Sequence, residues 1–488
     1  MTNELYRPQF HFSPQQNWMN DPNGLVYFHG EYHLFYQYHP HGTTWGPMHW
    51  GHAISKDLVH WEHAPIALEP DEHGQIFSGS AVVDWHDTTG FFNGEAGLVA
   101  IFTHHDQEPD SDRPRERQSL AYSSDFGRTW TTYSGNPVLT DSRFPDFRDP
   151  KVFWHTETNQ WVMILASGQT VSIYHSANLK DWSFASQFGD GEGAHFGVWE
   201  CPDLFKLPLD GDSARTKWVM LISIGNSPEY REGSRTQYFI GDFDGAVFKN
   251  DASPEKVRWL DGGRDNYAGV SWSDIPAKDG RRIYIGWMSN WKYAQVTPTE
   301  SWRSAMTIPR SLGLISRKDQ IIVVQQPVHE LNQLKSGIYK WDETIIDPGQ
   351  NLLSVLDLPY FELEAEFELQ TAVEFGFKVR ASDISETVVG YEVEKQEIFV
   401  DRSYSGEVSF HSDFSGRHAV KVETLDRRLK LHILVDTSSI EVFAGEGEAV
   451  ITDLIFPGEK DQGLEIYALQ GSVKLISLNI SPLKSIWT

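Results

Sequence analysis

Short apolar and aromatic runs alternate with clusters of Gly, Asp, Asn and Pro along most of the chain, as in residues 31–38 and 151–165. Runs of this length between turn-forming residues are typical of β-strands. Sustained periodicity of 3.6 residues, which marks an amphipathic helix, is almost absent. The pattern therefore predicts an all-β protein with few helices.

A repeated turn indicates how the first strands are arranged. Residues 55–61, 124–130 and 176–182 each begin with Ser, carry Asp or Asn near the start and end with Trp, and residues 241–245 resemble a degenerate fourth copy. Asp and Asn favour tight turns, and the Trp can begin a strand that packs between sheets. Strand-and-turn units at intervals of roughly 50–70 residues favour the blades of a β-propeller over unrelated hairpins with similar turns.

The pattern changes in residues 326–345, which we interpret as a connector. Beyond it, residues 360–369 alternate apolar and polar side chains, as a strand with one solvated face does. Further strands are predicted at residues 429–435, 440–443 and 450–456. Strands at this spacing without helices predict a β-sandwich. The predicted domains are therefore a propeller in residues 1–325 and a β-sandwich in residues 346–488.

Composition narrows the possible functions. The chain has 41 Lys and Arg against 68 Asp and Glu, a net charge of −27. Such a surface repels phosphate backbones and anionic lipids, so nucleic-acid and membrane partners are not expected. A lone cysteine, Cys201, allows no internal disulfide. The 18 Trp and the aromatic content of 13% suit a surface that stacks on a flat ligand.

Three carboxylates stand in distinctive local settings. Asp21 lies in the turn-forming run Trp-Met-Asn-Asp-Pro-Asn-Gly, Asp149 in Phe-Arg-Asp-Pro, and Glu200 in Val-Trp-Glu-Cys-Pro-Asp. The Arg beside Asp149 favours its ionised form, and burial among apolar neighbours would favour protonated Glu200. Each segment alone is also typical of a structural turn or a surface ion pair. One ionised and one protonated carboxylate together suit glycoside hydrolysis.

Five separated motifs occur in the order seen in glycoside hydrolase family 32, which contains invertases, inulinases and levanases. They are Asn-Asp-Pro-Asn-Gly at 20–24, Phe-Ser-Gly-Ser at 77–80, Phe-Arg-Asp-Pro at 147–150, Glu-Cys-Pro-Asp at 200–203 and Trp-Arg-Ser-Ala-Met at 302–306. The likeness includes residues 32–38, 286–291 and 439–443, so it covers nearly the whole chain. Residues 45–52 in particular resemble bacterial exo-acting levanases.

This resemblance implies a five-bladed propeller with an axial pocket, followed by a β-sandwich. It implies that Asp21 is the nucleophile that attacks the anomeric carbon of a terminal β-fructofuranoside. Glu200 is then the acid/base, and Asp149 binds sugar hydroxyls and stabilises charge at the transition state. Two successive displacements retain the anomeric configuration, which agrees with a carboxylate separation of about 5–5.5 Å.

The resemblance also implies which residues form the substrate-binding wall: Trp18, Asn20, Gln37, Trp45, Phe77, Ser78, Arg148, Asp265 and Trp291. Arg148 is expected to orient Asp149. We favour Trp291 over Trp287 for the pocket. At the position of Asp265 the family usually has the sequence Asp-Phe-Tyr-Ala, whereas this chain has Asn266 in place of the Phe. We expect this difference to change local packing more than the substrate-binding site.

No metal or cofactor is expected. Residues 104–106 (His-His-Asp) are interpreted as part of a solvated loop, because their spacing supplies no further metal ligands. Cys201 is expected to be a small buried group whose thiolate is disfavoured by the neighbouring carboxylate.

The leading hypothesis is a retaining exo-β-fructosidase that acts on levan, inulin-type fructans and sucrose, with levan favoured. A fructosyltransferase on the same scaffold and a fructan-binding propeller that has lost catalysis are alternatives, and an arabinan- or xylan-active propeller is a further one by fold.

The first residues lack the apolar segment of a signal peptide. A polymer substrate favours a secreted mature form over a cytoplasmic protein. The sequence indicates no oligomeric state, and linkage preference depends on loops such as 103–118 and 223–237.

Overall fold

The structure, a computed structural model, describes residues 4–318 and 320–487. Strands account for 53% of the residues and helices for 2%, so the all-β prediction is confirmed. The helices of the described residues are two short 3-10 helices, Ala294–Val296 and His329–Leu334. Neither they nor any other described segment forms a helix long and apolar enough to cross a bilayer.

Residues 17–327 fold into successive groups of antiparallel strands. The first group is β1 (Asn17–Phe28), β2 (Glu31–His39), β3 (His49–Ser55) and β4 (Trp61–Leu68). The second group is β5 (Gln75–Asp84), β6 (Gly97–Gln107), β7 (Pro114–Ser123), β8 (Thr131–Thr132) and β9 (Leu139–Thr140). The third group is β10 (Phe147–His155), β11 (Gln160–Ser167), β12 (Val171–Ser176) and β13 (Ser183–Phe188).

The next two groups share one continuous sheet. They are β14 (Trp199–Leu209), β15 (Asp212–Ile224), β16 (Arg235–Phe243) and β17 (Phe248–Asn250), then β18 (Tyr267–Ser271), β19 (Arg282–Met288), β21 (Ala305–Met306), β22 (Arg310–Arg317) and β23 (Gln320–Pro327). Strand β20 (Trp302–Arg303), which lies between β19 and β21 in the chain, pairs instead with β1 in the first sheet. The first strand of each group contacts the first strand of the next, and β18 returns to β1. The propeller prediction is confirmed. Because β14 pairs with β22 across two groups, the number of blades stays a prediction.

The repeated turn lies between the third and fourth strands of a group. The turn is held in each copy by one side chain, which accepts hydrogen bonds from the hydroxyl of the Ser two residues before it and from backbone N–H groups of the turn. These side chains are Asp57, Asp125 and Asn178. The serine of the second copy is Ser123 rather than the predicted Ser124, because that turn contains an extra residue. Asp244 caps the corresponding turn of the fourth group through the N–H groups of two following residues.

The strands of residues 339–482 form two facing sheets, as predicted for a β-sandwich. One sheet contains β24 (Tyr339–Trp341), β25 (Thr344–Ile346), β26 (Phe361–Glu368), β31 (Arg428–Val435), β32 (Ser439–Ala444), β33 (Ala449–Leu454) and β35 (Val473–Pro482). The other contains β27 (Glu374–Ala381), β28 (Glu386–Glu392), β29 (Glu397–Tyr404), β30 (Arg417–Lys421) and β34 (Gly463–Leu469). Apolar side chains from both sheets form one core. Because β24 lies within the predicted connector yet pairs with β35, the domain limits stay a prediction.

Buried arginines join the propeller to the sandwich. Arg310 of β22 donates hydrogen bonds to Glu441 of β32 and lies 3.3 Å from Asp261. Arg402 of β29 donates to Asp265 at 2.6 Å. Arg310, Arg402, Glu441 and Asp265 are fully buried, and a buried charge is tolerated only when it is paired and hydrogen-bonded. These pairs therefore determine how the sandwich is seated against the propeller.

Candidate active site

The three predicted catalytic carboxylates lie where the innermost strands begin. Asp21 is in β1, Asp149 in β10 and Glu200 in β14, and the pairing of each strand with its neighbour shifts register beside the carboxylate. A proline follows Asp21 and Asp149 directly and Glu200 after one residue; proline has no N–H to donate to the ladder. The resulting bulges redirect the side chains, so that all three face one cavity.

Asp21 is held by hydrogen bonds from two sides. The Asn20 amide donates to Oδ1 at 3.0 Å, the Ser78 hydroxyl donates to Oδ2 at 2.9 Å, and the Cys201 thiol lies 3.5 Å from Oδ2. Burial, reinforced by the charge of Glu200, raises the pKa of Asp21 to about 6. The carboxylate is therefore oriented and ionises within the neutral range.

Asp149 is strained and buried. Its φ of 62° lies in the left-handed region, and its carboxylate accepts the backbone N–H of Cys201 at 2.9 Å. Burial raises the pKa of Asp149 to about 8, because the opposing effect of Arg148 is smaller. Arg148 lowers this pKa, in the direction the sequence predicts, while burial and the charges of Glu200 and Asp21 raise it.

The hydrogen bonds of Arg148 go to carboxylates other than Asp149. Its guanidinium donates to Asp146 at 2.6 Å, to Glu116 at 3.1 Å and to Oε1 of Glu200 at 3.0 Å. Arg148 and Asp149 both line the cavity, because the strand bulges between Arg148 and Lys151, but no hydrogen bond joins the two side chains among the described residues. The prediction that Arg148 orients Asp149 is therefore wrong. Arg148 instead positions Glu200.

Glu200 lies at the more open side of the cluster. The Tyr267 hydroxyl donates to Oε2, and Arg148 donates to Oε1. The Glu200 side chain is 22% exposed, so it is not enclosed by apolar groups as the sequence suggested. The Cys201 thiol is buried, and burial together with the three carboxylates holds its pKa well above the ordinary value, as predicted.

The carboxylates open into a cavity of about 330 Å³. Its wall includes most of the predicted residues: Asn20, Gln37, Trp45, Phe77, Ser78, Arg148 and Trp291. Trp291 lines the cavity, as predicted, whereas Trp287 is fully buried in the core. Aromatic faces beside amide and hydroxyl groups suit a ligand with both apolar and hydroxyl-bearing surfaces. Contact between these residues and substrate stays a prediction.

Two predicted wall residues lie outside the cavity. Trp18 is fully buried, donates its indole N–H to Asn20 at 2.7 Å and stacks behind Trp291. Asp265 binds Arg402 of the sandwich and accepts the Tyr293 hydroxyl at 2.8 Å. Predicting them as wall residues is wrong: Trp18 supports the wall from behind, and Asp265 belongs to the domain interface.

Sequence reasoning also missed several lining residues, namely His105, Pro114, Glu116, Asp146 and Gln295. The His105 ring stacks on Phe77 at 4.1 Å and bonds to Glu116 at 3.1 Å. The expected solvated loop at residues 104–106 is wrong, because these residues lie in β6 and His104 is buried. Glu116 lies between two arginines in the sequence, and this alternation of charge could have indicated that Glu116 takes part in a network of ion pairs.

Possible metal ligands in the described part of the chain cluster elsewhere. Glu362, Glu364 and His432 of the sandwich present ligand atoms within 4.8 Å of one another. Lys335 Nζ lies 2.5 Å from Glu362 Oε2, so the Glu362 carboxylate is already paired with a cation. That the reaction needs no metal or cofactor stays a prediction.

A model of the N-terminal domain of glycosyl hydrolases family 32 matches residues 11–327, and a model of the family's C-terminal domain matches residues 330–482. The chain belongs to glycoside hydrolase family 32. A levanase of Bacillus subtilis (strain 168) is 54% identical over 489 residues, which cover 99% of this chain and 71% of that protein. An extracellular exo-inulinase of Aspergillus niger is 40% identical and is matched over 99% of this chain and 95% of its own length.

Solved family 32 structures share the fold along the whole chain. Exo-inulinase from Aspergillus awamori superposes with a TM-score of 0.91 at 38% identity and full coverage of both chains. The β-fructofuranosidase from Schwanniomyces occidentalis complexed with fructosyl-erythritol superposes with a TM-score of 0.90 at 32% identity and 99% coverage of both. The propeller and sandwich are therefore the architecture of this family 32 chain.

Neutralising Asp149 should stabilise the protein at high pH. A carboxyl whose folded pKa is about 8 contributes stability that is complete below its ordinary value of 3.8 and is lost as the pH rises through 8. Asp149→Asn removes this loss. We expect its Tm to exceed that of wild type by about 5 °C or more at pH 8, with a smaller gap at pH 5, in thermal unfolding followed by circular dichroism.

The same substitution at an exposed carboxylate provides the control. Asp181 lies at the surface in the third repeated turn, so Asp181→Asn should show no such pH-dependent gain. An Asp149→Asn protein no more stable than wild type at pH 8 would show that burial does not govern this carboxyl.

Proposed function

We propose that the protein is a retaining exo-β-fructosidase that releases terminal β-D-fructofuranose from fructans, with levan as its preferred substrate and sucrose as a minor one. The observation that carries the proposal is that Asp21, Asp149 and Glu200, far apart in the chain, line one cavity with aromatic and amide walls. The name and 54% identity of the Bacillus subtilis levanase support the choice of levan.

In the first step, a carboxylate oxygen of Asp21 forms a bond to the anomeric carbon of the terminal fructose. The bond to the departing oxygen breaks, and that oxygen takes a proton from Glu200. Hydrogen bonds from Asn20 and Ser78 support Asp21 as nucleophile, because they hold its carboxylate in one orientation. A pKa of about 6 leaves this carboxylate ionised at neutral pH.

In the second step, Glu200 takes a proton from water, and the water oxygen displaces Asp21 from the anomeric carbon. Two inversions give retention. Arg148 and Tyr267 each bind one carboxylate oxygen of Glu200, which supports one fixed carboxyl that alternates between acid and base. Asp149, with a pKa of about 8, retains a proton at neutral pH and is suited to donate a hydrogen bond to a fructose hydroxyl.

The products of levan, inulin and sucrose test this function. We expect levan to yield free fructose as its only small product from the first minute, released as the β-anomer in NMR spectra recorded before mutarotation. A ladder of oligosaccharides would overturn exo attack, and α-fructose would overturn retention. Synthesis of oligosaccharides at high sucrose concentration would indicate a fructosyltransferase. Binding of fructan without any turnover would indicate a sugar-binding propeller.

We propose that the enzyme acts outside the cell. A fructan polymer cannot cross a membrane intact, and the Aspergillus relatives carry the name extracellular exo-inulinase. Activity on levan in culture supernatant, compared with that in washed cells of the source organism, tests this location.

A further inference from the structure

A second, larger cavity of about 640 Å³ lies at the opposite end of the propeller. The carboxylates of the active site stand near the starts of β1, β10 and β14. The second cavity is lined from the far ends of innermost strands, by Asp84 at the end of β5, His155 at the end of β10 and Ser273 just after β18. The two cavities therefore lie at opposite ends of the propeller axis.

Indole rings form much of this second cavity and are fixed in position. Trp85 is 53% exposed, yet its N–H donates to Asp274 at 2.9 Å and its ring packs edge-on against Phe28. Trp154 packs edge-on against Trp161 at 5.1 Å. A ring that is both exposed and held by a hydrogen bond loses little conformational freedom when a ligand stacks on it.

Hydrogen-bonding groups surround these rings, with charges of both signs in balance. Three cationic and three anionic side chains line the cavity: Lys151, Lys206 and Arg282, and Asp84, Glu157 and Asp274. Lys206 binds Glu157 at 2.9 Å, and Lys151 lies 3.4 Å from Asp203 below the surface. Such a lining attracts neither anions nor cations preferentially, so a neutral ligand suits it best.

One cation retains unused donors. Arg282 gives a single hydrogen bond among the described residues, from Nη1 to the carbonyl of Trp272 at 3.1 Å, while its guanidinium lies over the Phe205 ring. Its other N–H groups are available to hydroxyl oxygens of a ligand in the cavity. Exposed aromatic faces and convergent polar donors are the two features that a site for a neutral polyhydroxylated molecule needs.

We infer that this cavity is a second saccharide-binding site, which holds an internal stretch of a fructan chain on Trp85 and Trp154. Only the identity of the sugar rests on the proposed function. A polymer held at a second point stays near the enzyme between cleavage events, which raises the effective concentration of its chain ends. Small substrates such as sucrose gain nothing from this site.

Affinity electrophoresis in gels that contain levan tests the inference. The Asp21→Asn background prevents digestion of the gel, and excess free fructose occupies the active site. We expect Trp85→Ala to weaken retardation by levan about tenfold. Phe184→Ala is the matched control, because Phe184 is 56% exposed on the outer strand β13. It should leave retardation unchanged.

Kinetics of the otherwise wild-type enzyme give the second measurement. In Trp85→Ala we expect the KM for levan to rise about fivefold and kcat/KM for sucrose to stay within about twofold. Unchanged retardation and unchanged levan KM in a folded Trp85→Ala protein would overturn the second site. A parallel loss of sucrose activity would also overturn it, since that result would place the effect at the active site.

The inference and the proposed function fail in different ways. If wild type hydrolyses no fructan but its retardation by levan depends on Trp85, the proposed function fails and the second site stands. If wild type hydrolyses levan and sucrose while Trp85→Ala matches it in both retardation and KM, the function stands and the second site fails.

Discussion

Asp21→Asn should hydrolyse levan and sucrose more than about 10⁴-fold more slowly than wild type. The amide has nearly the shape of the carboxylate but cannot form the covalent bond to the anomeric carbon. Asn20 and Ser78 hold one oxygen each in the native site, so the sugar-binding wall should remain assembled in the variant. Substrate binding should therefore survive while the chemical step is lost.

Initial rates of fructose release and equilibrium binding of sucrose measure the two properties separately. Asp181→Asn, the same change at an exposed carboxylate, should keep full activity.

The Asp21→Asn protein should unfold at a higher temperature than wild type above pH 6. Burial raises the pKa of Asp21 to about 6, so wild type loses stability as the pH rises through that value. Residual activity above about 1% of wild type would contradict the assignment of Asp21 as nucleophile.

Arg402→Met should lower the free energy of unfolding by about 3–5 kcal/mol, because it leaves charges buried without their partner. In the native protein the Arg402 guanidinium binds Asp265 at 2.6 Å and the Tyr293 hydroxyl at 2.8 Å, and it lies 3.8 Å from Asp453. All four side chains are buried. Removal of the cation strands Asp265 at the interface between the propeller and the sandwich.

A double-mutant cycle in urea unfolding separates the lost charge pair from lost packing. Arg402→Met combined with Asp265→Asn removes both charges and should recover part of the stability. Arg417→Met is the surface control: Arg417 binds Glu392 at 2.7 Å but is partly exposed, so its loss should cost under about 1 kcal/mol. The Asp265→Asn protein should hydrolyse sucrose normally at low temperature. Loss of activity in that variant while it remains folded would restore Asp265 as a sugar contact.

Local patterns predicted the elements well. The alternation in residues 360–369 became β26, and the predicted strand at 440–443 lies within β32. The repeated Ser-x-Asp turns link the outer strands as expected, because a side chain that binds its own backbone acts within a few residues. The family motifs around Asp21, Asp149 and Glu200 located three carboxylates that share one cavity, and in each motif a proline lies beside the bulge that turns its strand.

The predictions were wrong where a charged side chain binds a partner that is distant in the chain. Asp265 was assigned to the pocket, but its partner Arg402 lies 137 residues away. Arg148 was paired with Asp149, yet its guanidinium reaches Glu116 and Glu200. Such errors share one cause, because sequence adjacency does not indicate which charges meet after the strands pack.

The sequence alone determined the all-β architecture and the order of propeller and sandwich, because strand periodicity and turn chemistry act over short distances. Its family motifs also indicated three carboxylates that meet in one cavity, and their catalytic roles stay a prediction. Only the tertiary structure decided that Arg148 supports Glu200, that burial raises the pKa of Asp149, and that Trp85 and Trp154 share a cavity opposite the active site. Burial and charge pairing depend on which strands meet around the axis, and that is a property of the whole fold.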